Sequence, residues 1–285
     1  MDLDVAQQTL YTKLTSPRDG AEIHRKILDA HTVESISTIA AVGLDTNILK
    51  GLRRDSTFAD GLFLRLKANK VALITPGQSL VEFWNNHHVF ANDEWNSFRN
   101  DLGNLKKRIE RGNLLDFDAA RVGEISRLVQ EVSSDLHETK SPEYLATSRT
   151  LVQSMLETAR VPQVSRVRFA DVASARLSTK TPPGFADEGS KVAAAGDFFV
   201  WADFLLGCLC VEVEENRDHF VWVTDDSKPD WKTGSSGHPS LLEEFRWVRE
   251  ARLTVLSLRD LRVLIQREEE RQAAASTESS AGEDS

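Results

Sequence analysis

The sequence predicts an α/β protein with three layers, a central parallel sheet between two layers of helices. Three observations carry this reading. Four short apolar runs, Ala40 to Leu44, Lys70 to Thr75, His219 to Thr224 and Leu253 to Leu256, read as buried strands. Helical patterns separate them, and alternation of this kind calls for a parallel sheet. The first and third runs also end on carboxylates, Asp45 and the pair Asp225-Asp226. A strand end in such a sheet faces the crevice where open α/β sheets bind ligands.

The chain has 285 residues, enough for one large domain or two small ones around a sizeable core. Its formal net charge of -9 argues against a protein that coats nucleic acid non-specifically. It leaves room for a nuclease, because an active site rich in acids makes the bare chain acidic and bound cations offset that charge locally. No apolar run approaches a membrane span, and the acidic start Met1-Asp2-Leu3-Asp4 lacks a signal-peptide pattern. Cys208 and Cys210, two apart in an expected helix, point to different faces; a cytoplasmic, reducing compartment fits.

In chain order, residues 1–38 form a helical extension, with one helix from Asp4 to about Leu14 and a second after Ser16-Pro17-Arg18-Asp19. It either binds a partner or covers the sheet. Residues 39–100 form the first part of the α/β domain: the Asp45 strand, a short helix from Asn47, and an amphipathic helix with Phe58, Leu62, Phe63 and Leu66 on one face. The strand ending at Pro76-Gly77 comes next, and then a helix carrying Glu82. Residues 101–178 read as a helical insertion, helical to about Leu177. Its basic cluster Lys106, Lys107, Arg108 is either a solvated face or a contact for phosphates. Residues 179–271 form the second part of the domain. They begin with a Pro/Gly break and the helix start Gly196-Asp197. The strand ending at Asp225 and a last strand and helix follow. Residues 272–285, rich in Ala, Ser and Glu, read as a disordered tail.

Four acids thus share one kind of address. Asp45 and Asp225 end strands, Glu82 lies on a helix entered from a strand, and Asp197 begins a helix that leads into a strand. Four carboxylates on one edge repel each other unless cations lie between them. Hard cations such as Mg²⁺ or Mn²⁺ prefer oxygen ligands and suit such a cluster. Each acid also has a plainer reading: Asp197 as an N-cap, Asp225 as a turn residue, Glu82 as a solvated helix residue.

The motifs Asp45-Thr46-Asn47, Pro76 with Glu82 six residues on, Gly196-Asp197-Phe198-Phe199-Val200-Trp201 and Thr224-Asp225-Asp226-Ser227-Lys228-Pro229-Asp230-Trp231 together resemble the PIN domain family of metal-dependent nucleases. The loop Pro182-Pro183-Gly184-Phe185-Ala186-Asp187 makes the likeness closer to a bacterial PIN-like subgroup with a long helical insertion. The resemblance spans Val42 to Leu256 and implies hydrolysis of phosphodiesters, most often in RNA, with DNA left open. It implies that Asp45, Glu82, Asp197 and Asp225 are catalytic and hold Mg²⁺ or Mn²⁺, which would activate a water. Asn47 and Thr224 would orient the acids, with Asp226, Lys228 and Asp230 as auxiliaries. Lys228 is either a surface lysine or a point charge for a substrate phosphate. Trp231, in a polar loop, is the candidate for stacking on a base. Fold-level analogy suggests a toxin or defence effector as the setting.

Two rival readings remain at this stage. A catalytically idle PIN-like scaffold would bind protein or RNA, and a partner or a second copy would dock on the N-terminal helices or the insertion. A doubly wound phosphatase with an aspartyl nucleophile would carry a second acid two residues after the first. Here that position is Asn47.

Overall fold

A computed structural model describes the chain except residues 22–24, 26–32, 34, 112–117, 136–141, 188–193, 215, 235 and 283–285. Most of the second N-terminal helix expected after Ser16 lies outside the described residues.

The chain starts with α1 (Leu3–Thr15), capped by the Asp2 carboxylate. It enters the sheet at β1 (Ile39–Leu44), where every residue is buried. Burial on both faces is the mark of a central parallel strand, and it explains a run with no polar alternation. Two helices follow, α2 (Thr46–Arg54) and α3 (Ser56–Ala68), and then β2 (Ala72–Ile74). Next come the long helix α4 (Gly77–Glu110), α5 (Ala119–Asp135) and α6 (Pro142–Leu156). A two-residue strand β3 (Ala159–Arg160) precedes α7 (Ala170–Ser178) and α8 (Ala194–Leu209). The chain ends with β4 (His219–Val223), a small antiparallel ribbon of β5 (Lys232–Thr233) and β6 (Ser236–Gly237), α9 (Pro239–Arg249), β7 (Arg252–Leu256) and α10 (Leu258–Gly282).

The main sheet has five strands in the order β3-β2-β1-β4-β7, all parallel, with β1 in the middle. It is the centre of the expected three-layer α/β/α fold. In one layer α8 packs with α1, α7 and α9; α3 packs on α2 and β2, and α10 on β7. The core under α8 is aromatic. Trp222 of β4 lies 4.7 Å from Phe204 and stacks on Trp231 at 5.7 Å and 16°. Gly43 makes room for this cluster, since a Cβ there would come within 2.4 Å of the Phe204 ring.

Three features differ from the sequence reading. The stretch read as continuous helix to Leu177 is broken by β3, which pairs with β2 through Leu73↔Ala159 and Ile74↔Arg160. The chain divides into two compact units, Trp84–Thr150 and the rest, so the helical unit starts earlier and ends earlier than 101–178. Residues after 271 continue as helix to Gly282. Their alanines, Ala273 to Ala275, favour the helix that the polar composition masked. Among the described residues no helix is long and apolar enough to cross a membrane.

Candidate carboxylate site at the sheet edge

The site is built on the carboxyl ends of β1 and β4. The β1–β4 pairing continues past the strands, with Asp45 N–H donating to the Val223 carbonyl at 3.0 Å, and Thr224 N–H donates to Leu256 of β7 at 2.9 Å. These bonds hold Asp45 and Thr224 side by side. The Asp45 carboxylate caps α2 by accepting from Thr46 N–H at 2.7 Å. Its Oδ2 accepts from the Thr224 hydroxyl at 2.6 Å and from the Asn47 amide at 2.9 Å. Asn47 and Thr224 thus both hold the Asp45 carboxylate by hydrogen bonds.

Burial raises the Asp45 carboxyl from 3.8 to about 6, and the neighbouring charges of Glu82 and Asp226 push the same way, against the Thr224 and Thr46 hydrogen bonds. An acid caught between desolvation and like charge is a common functional-site signature.

Glu82 reaches the same place from α4. Its Oε2 accepts from the Thr46 hydroxyl at 2.9 Å and its Oε1 from Gln78 at 3.1 Å. Gly196 of α8 lies against it, since a Cβ there would fall 2.7 Å from Glu82 Oε1. Asp197 is the next residue, half-buried in the first turn of α8. The Lys228 ammonium joins it, 3.6 Å from Asp197 and 3.4 Å from Asp226. Asp226 returns to the start, its N–H bonded to the Thr224 hydroxyl at 3.0 Å. Asp45, Glu82, Asp197, Lys228, Asp226 and Thr224 therefore lie in one ring, with Thr46 linking Asp45 to Glu82 and Gly196 lying between Glu82 and Asp197. Gly196 is the position where α8 needs no side chain. Gly196→Ala should displace the Glu82 carboxylate, while alanine's helix preference keeps the melting temperature from falling. A crystal structure of the variant beside a thermal melt checks both halves.

The structure does not bring Asp225 into this ring. Its side chain is exposed and turns to the other side of the strand end, where Oδ1 accepts from Leu258 N–H at the start of α10, at 2.9 Å. Both acids lie past the end of β4, and of the two it is Asp226 whose carboxylate reaches Lys228. Asp230 is fully buried and bonded to the loop before α8, accepting from Gly184 N–H at 2.8 Å and Ala186 N–H at 3.2 Å. Gly184 has φ 105, a backbone that favours glycine. Trp231 is 1 % exposed and sits in the aromatic core, so it offers no face for a base. Lys106, Lys107 and Arg108 are exposed near the end of α4, in the helical unit.

One further acid braces this region. Asp203, two turns along α8 from Asp197, has no exposed surface. It accepts from Gln78 N–H at 2.9 Å and Val164 N–H at 2.8 Å, and two further bonds of 2.8 Å come from the Arg166 guanidinium. It ties α8, which carries Asp197, to the first turn of α4, which carries Glu82. The carbonyls of Arg160 and Pro162 fix the same turn through Thr75 N–H and Gly77 N–H. The signal in sequence is the polar residue inside the apolar run Phe198 to Leu209.

The ring's acidic donors are all oxygen, the chemistry that Mg²⁺ and Mn²⁺ take. Among the described residues no three acidic, histidine or cysteine side chains already stand close enough together to hold an ion. The buried, proton-hungry Asp45 with acids on either side is nevertheless a site that a divalent cation would relieve, so the residues fit such an ion.

No curated protein and no solved structure matches the chain. A family model described as a PIN like domain matches residues 41–243, which runs from the middle of β1 into α9 and includes every member of the ring. With that span of match and a five-stranded parallel sheet between helices, the chain belongs to the PIN-like domain family.

Proposed function

We propose that the protein is a Mg²⁺- or Mn²⁺-dependent endoribonuclease whose acids are Asp45, Glu82, Asp197 and Asp226. The observation that carries this reading is the cluster of acids at the sheet edge, with a buried Asp45 raised to about 6 by desolvation and by the charges of Glu82 and Asp226. The family is one of nuclease type, which supports phosphodiester hydrolysis as the reaction class.

A divalent ion in the ring would supply positive charge at the scissile phosphate and lower the pKa of an attacking water. The rest falls to the protein. Thr224 and Asn47 fix Asp45 in one orientation, and Thr46 and Gln78 do the same for Glu82. Asp203 fixes the distance between the helices of Glu82 and Asp197. Lys232, bonded to the Thr224 carbonyl at 2.7 Å, adds positive charge beside the acids.

The adjacent pair Asp225 and Asp226 gives the test. Asp226→Asn should lower Mn²⁺-dependent RNA cleavage by about a hundredfold or more. Asp225→Asn should keep cleavage within a few fold, since the asparagine oxygen can still accept from Leu258 N–H at the start of α10. Equal loss in both variants, or none in Asp226→Asn, would contradict the assignment. The second reading, an idle scaffold that binds RNA or protein, draws on the Lys228 ammonium placed between two of the acids. Full-length protein that binds RNA and leaves it intact at millimolar Mn²⁺ would favour it.

A further inference from the structure

We propose that Lys228 is a built-in counter-cation: it holds Asp197 and Asp226 together in the metal-free protein, and a divalent ion displaces it from them. The inference rests on the metal-dependent reading above and deepens it.

The main chain of Lys228 is pinned. Its N–H donates to Asp226 Oδ1 at 2.8 Å, and its carbonyl accepts from Trp231 and Lys232 N–H at 3.1 Å each. The side chain is less committed. It is 34 % exposed and its Nζ lies 3.6 and 3.4 Å from carboxylates that are each 20 % exposed. An ion pair this open adds little to stability. What it does is neutralise two acids of a ring whose other charged side chains are all negative. A lysine suits that task, being a compact charge on a flexible stem that can leave and return. A dication and the ammonium compete for the same two carboxylates, and the dication brings twice the charge. The tethered ammonium then stays at the rim of the ring, where a substrate phosphate would approach.

The test is Mn²⁺ titration of the full chain by calorimetry, with thermal melts in parallel. Lys228→Met should bind Mn²⁺ roughly tenfold tighter than wild type, the size of one screened charge repulsion. Lys228→Arg, which keeps the charge, should stay within about threefold of wild type on the same account. Without metal, Lys228→Met should melt within about 2 °C of wild type, and Mn²⁺ should raise its melting temperature by more. An unchanged or weaker Mn²⁺ affinity in Lys228→Met would overturn the proposal. Asp45→Asn separates this failure from that of the metal reading. If Asp45→Asn abolishes Mn²⁺ binding, the metal site stands whatever Lys228→Met does. If wild type binds no Mn²⁺, or Asp45→Asn binds it as well as wild type, the metal reading falls and takes the Lys228 proposal with it.

Discussion

Asp45→Asn should abolish Mn²⁺-dependent RNA cleavage, by about a thousandfold or more, and change the way the metal-free fold responds to pH. Both effects come from one observation, the buried carboxyl raised to about 6, first by desolvation and then by Glu82 and Asp226. The sign follows from linkage. A carboxyl whose folded value lies above its unfolded one favours the folded state when protonated. That contribution is fully present below about 3.8 and is lost as pH rises through about 6. The loss for wild type is about 3 kcal/mol at pH 8. Asparagine does not ionise, so its curve lacks this slope. It gives up one acceptor to the Asn47 amide or the Thr224 hydroxyl, a constant offset of about 1 kcal/mol. The stability difference between variant and wild type should therefore move by roughly 2–3 kcal/mol in favour of the variant from pH 4 to pH 8. Urea melts of the metal-free proteins across that range read it directly, and parallel curves would show that Asp45 is not the strained acid. Mn²⁺ at neutral pH should restore the wild type and leave the variant unchanged.

Asp203→Ala should give the largest loss of stability in the α/β unit, about 3 kcal/mol or a fall of roughly 6–12 °C in melting temperature. The carboxylate accepts four hydrogen bonds in a position with no solvent exposure. Its removal orphans the Gln78 and Val164 N–H groups. The Arg166 charge fares better, because that side chain is 28 % exposed and can turn to water. The first turn of α4 loosens with the bond to Gln78, four residues before Glu82, whose carboxylate Gln78 also holds. The protein that remains folded should thus bind Mn²⁺ more weakly, measured well below its melting temperature. A melt unchanged within about 2 °C would show that Arg166 and the two amides find other partners.

The sheet was legible because burial on both faces writes an apolar run into the sequence. β1, β2 and β4 show one, while the edge strand β7 is mostly half-exposed and was read from the short run Leu253 to Leu256. β3 was not, since two residues of an edge strand, one of them exposed, leave no pattern against the helices around it. At the site, Asp45, Glu82 and Asp197 could be placed because the ends of regular elements position them. The choice between Asp225 and Asp226 could not, because it turns on which way one residue points after the strand's alternation ends. Trp231 misled for a related reason: its neighbours Lys228, Asp230 and Lys232 are polar, yet the loop folds back so that its ring stacks on Trp222. Asp203 was not legible because an acid in an apolar helix looks misplaced until four donors from three residues meet it.

The central claim is that the acids at the end of β1 and β4 hold a divalent cation. It is tested most directly by anomalous scattering at the manganese edge from crystals of the full chain soaked in millimolar Mn²⁺. The ring predicts a peak in coordination contact with Asp45 and Asp226, with Lys228 turned away from Asp226. No peak there, or a peak held by Asp225 away from Asp45, would contradict it.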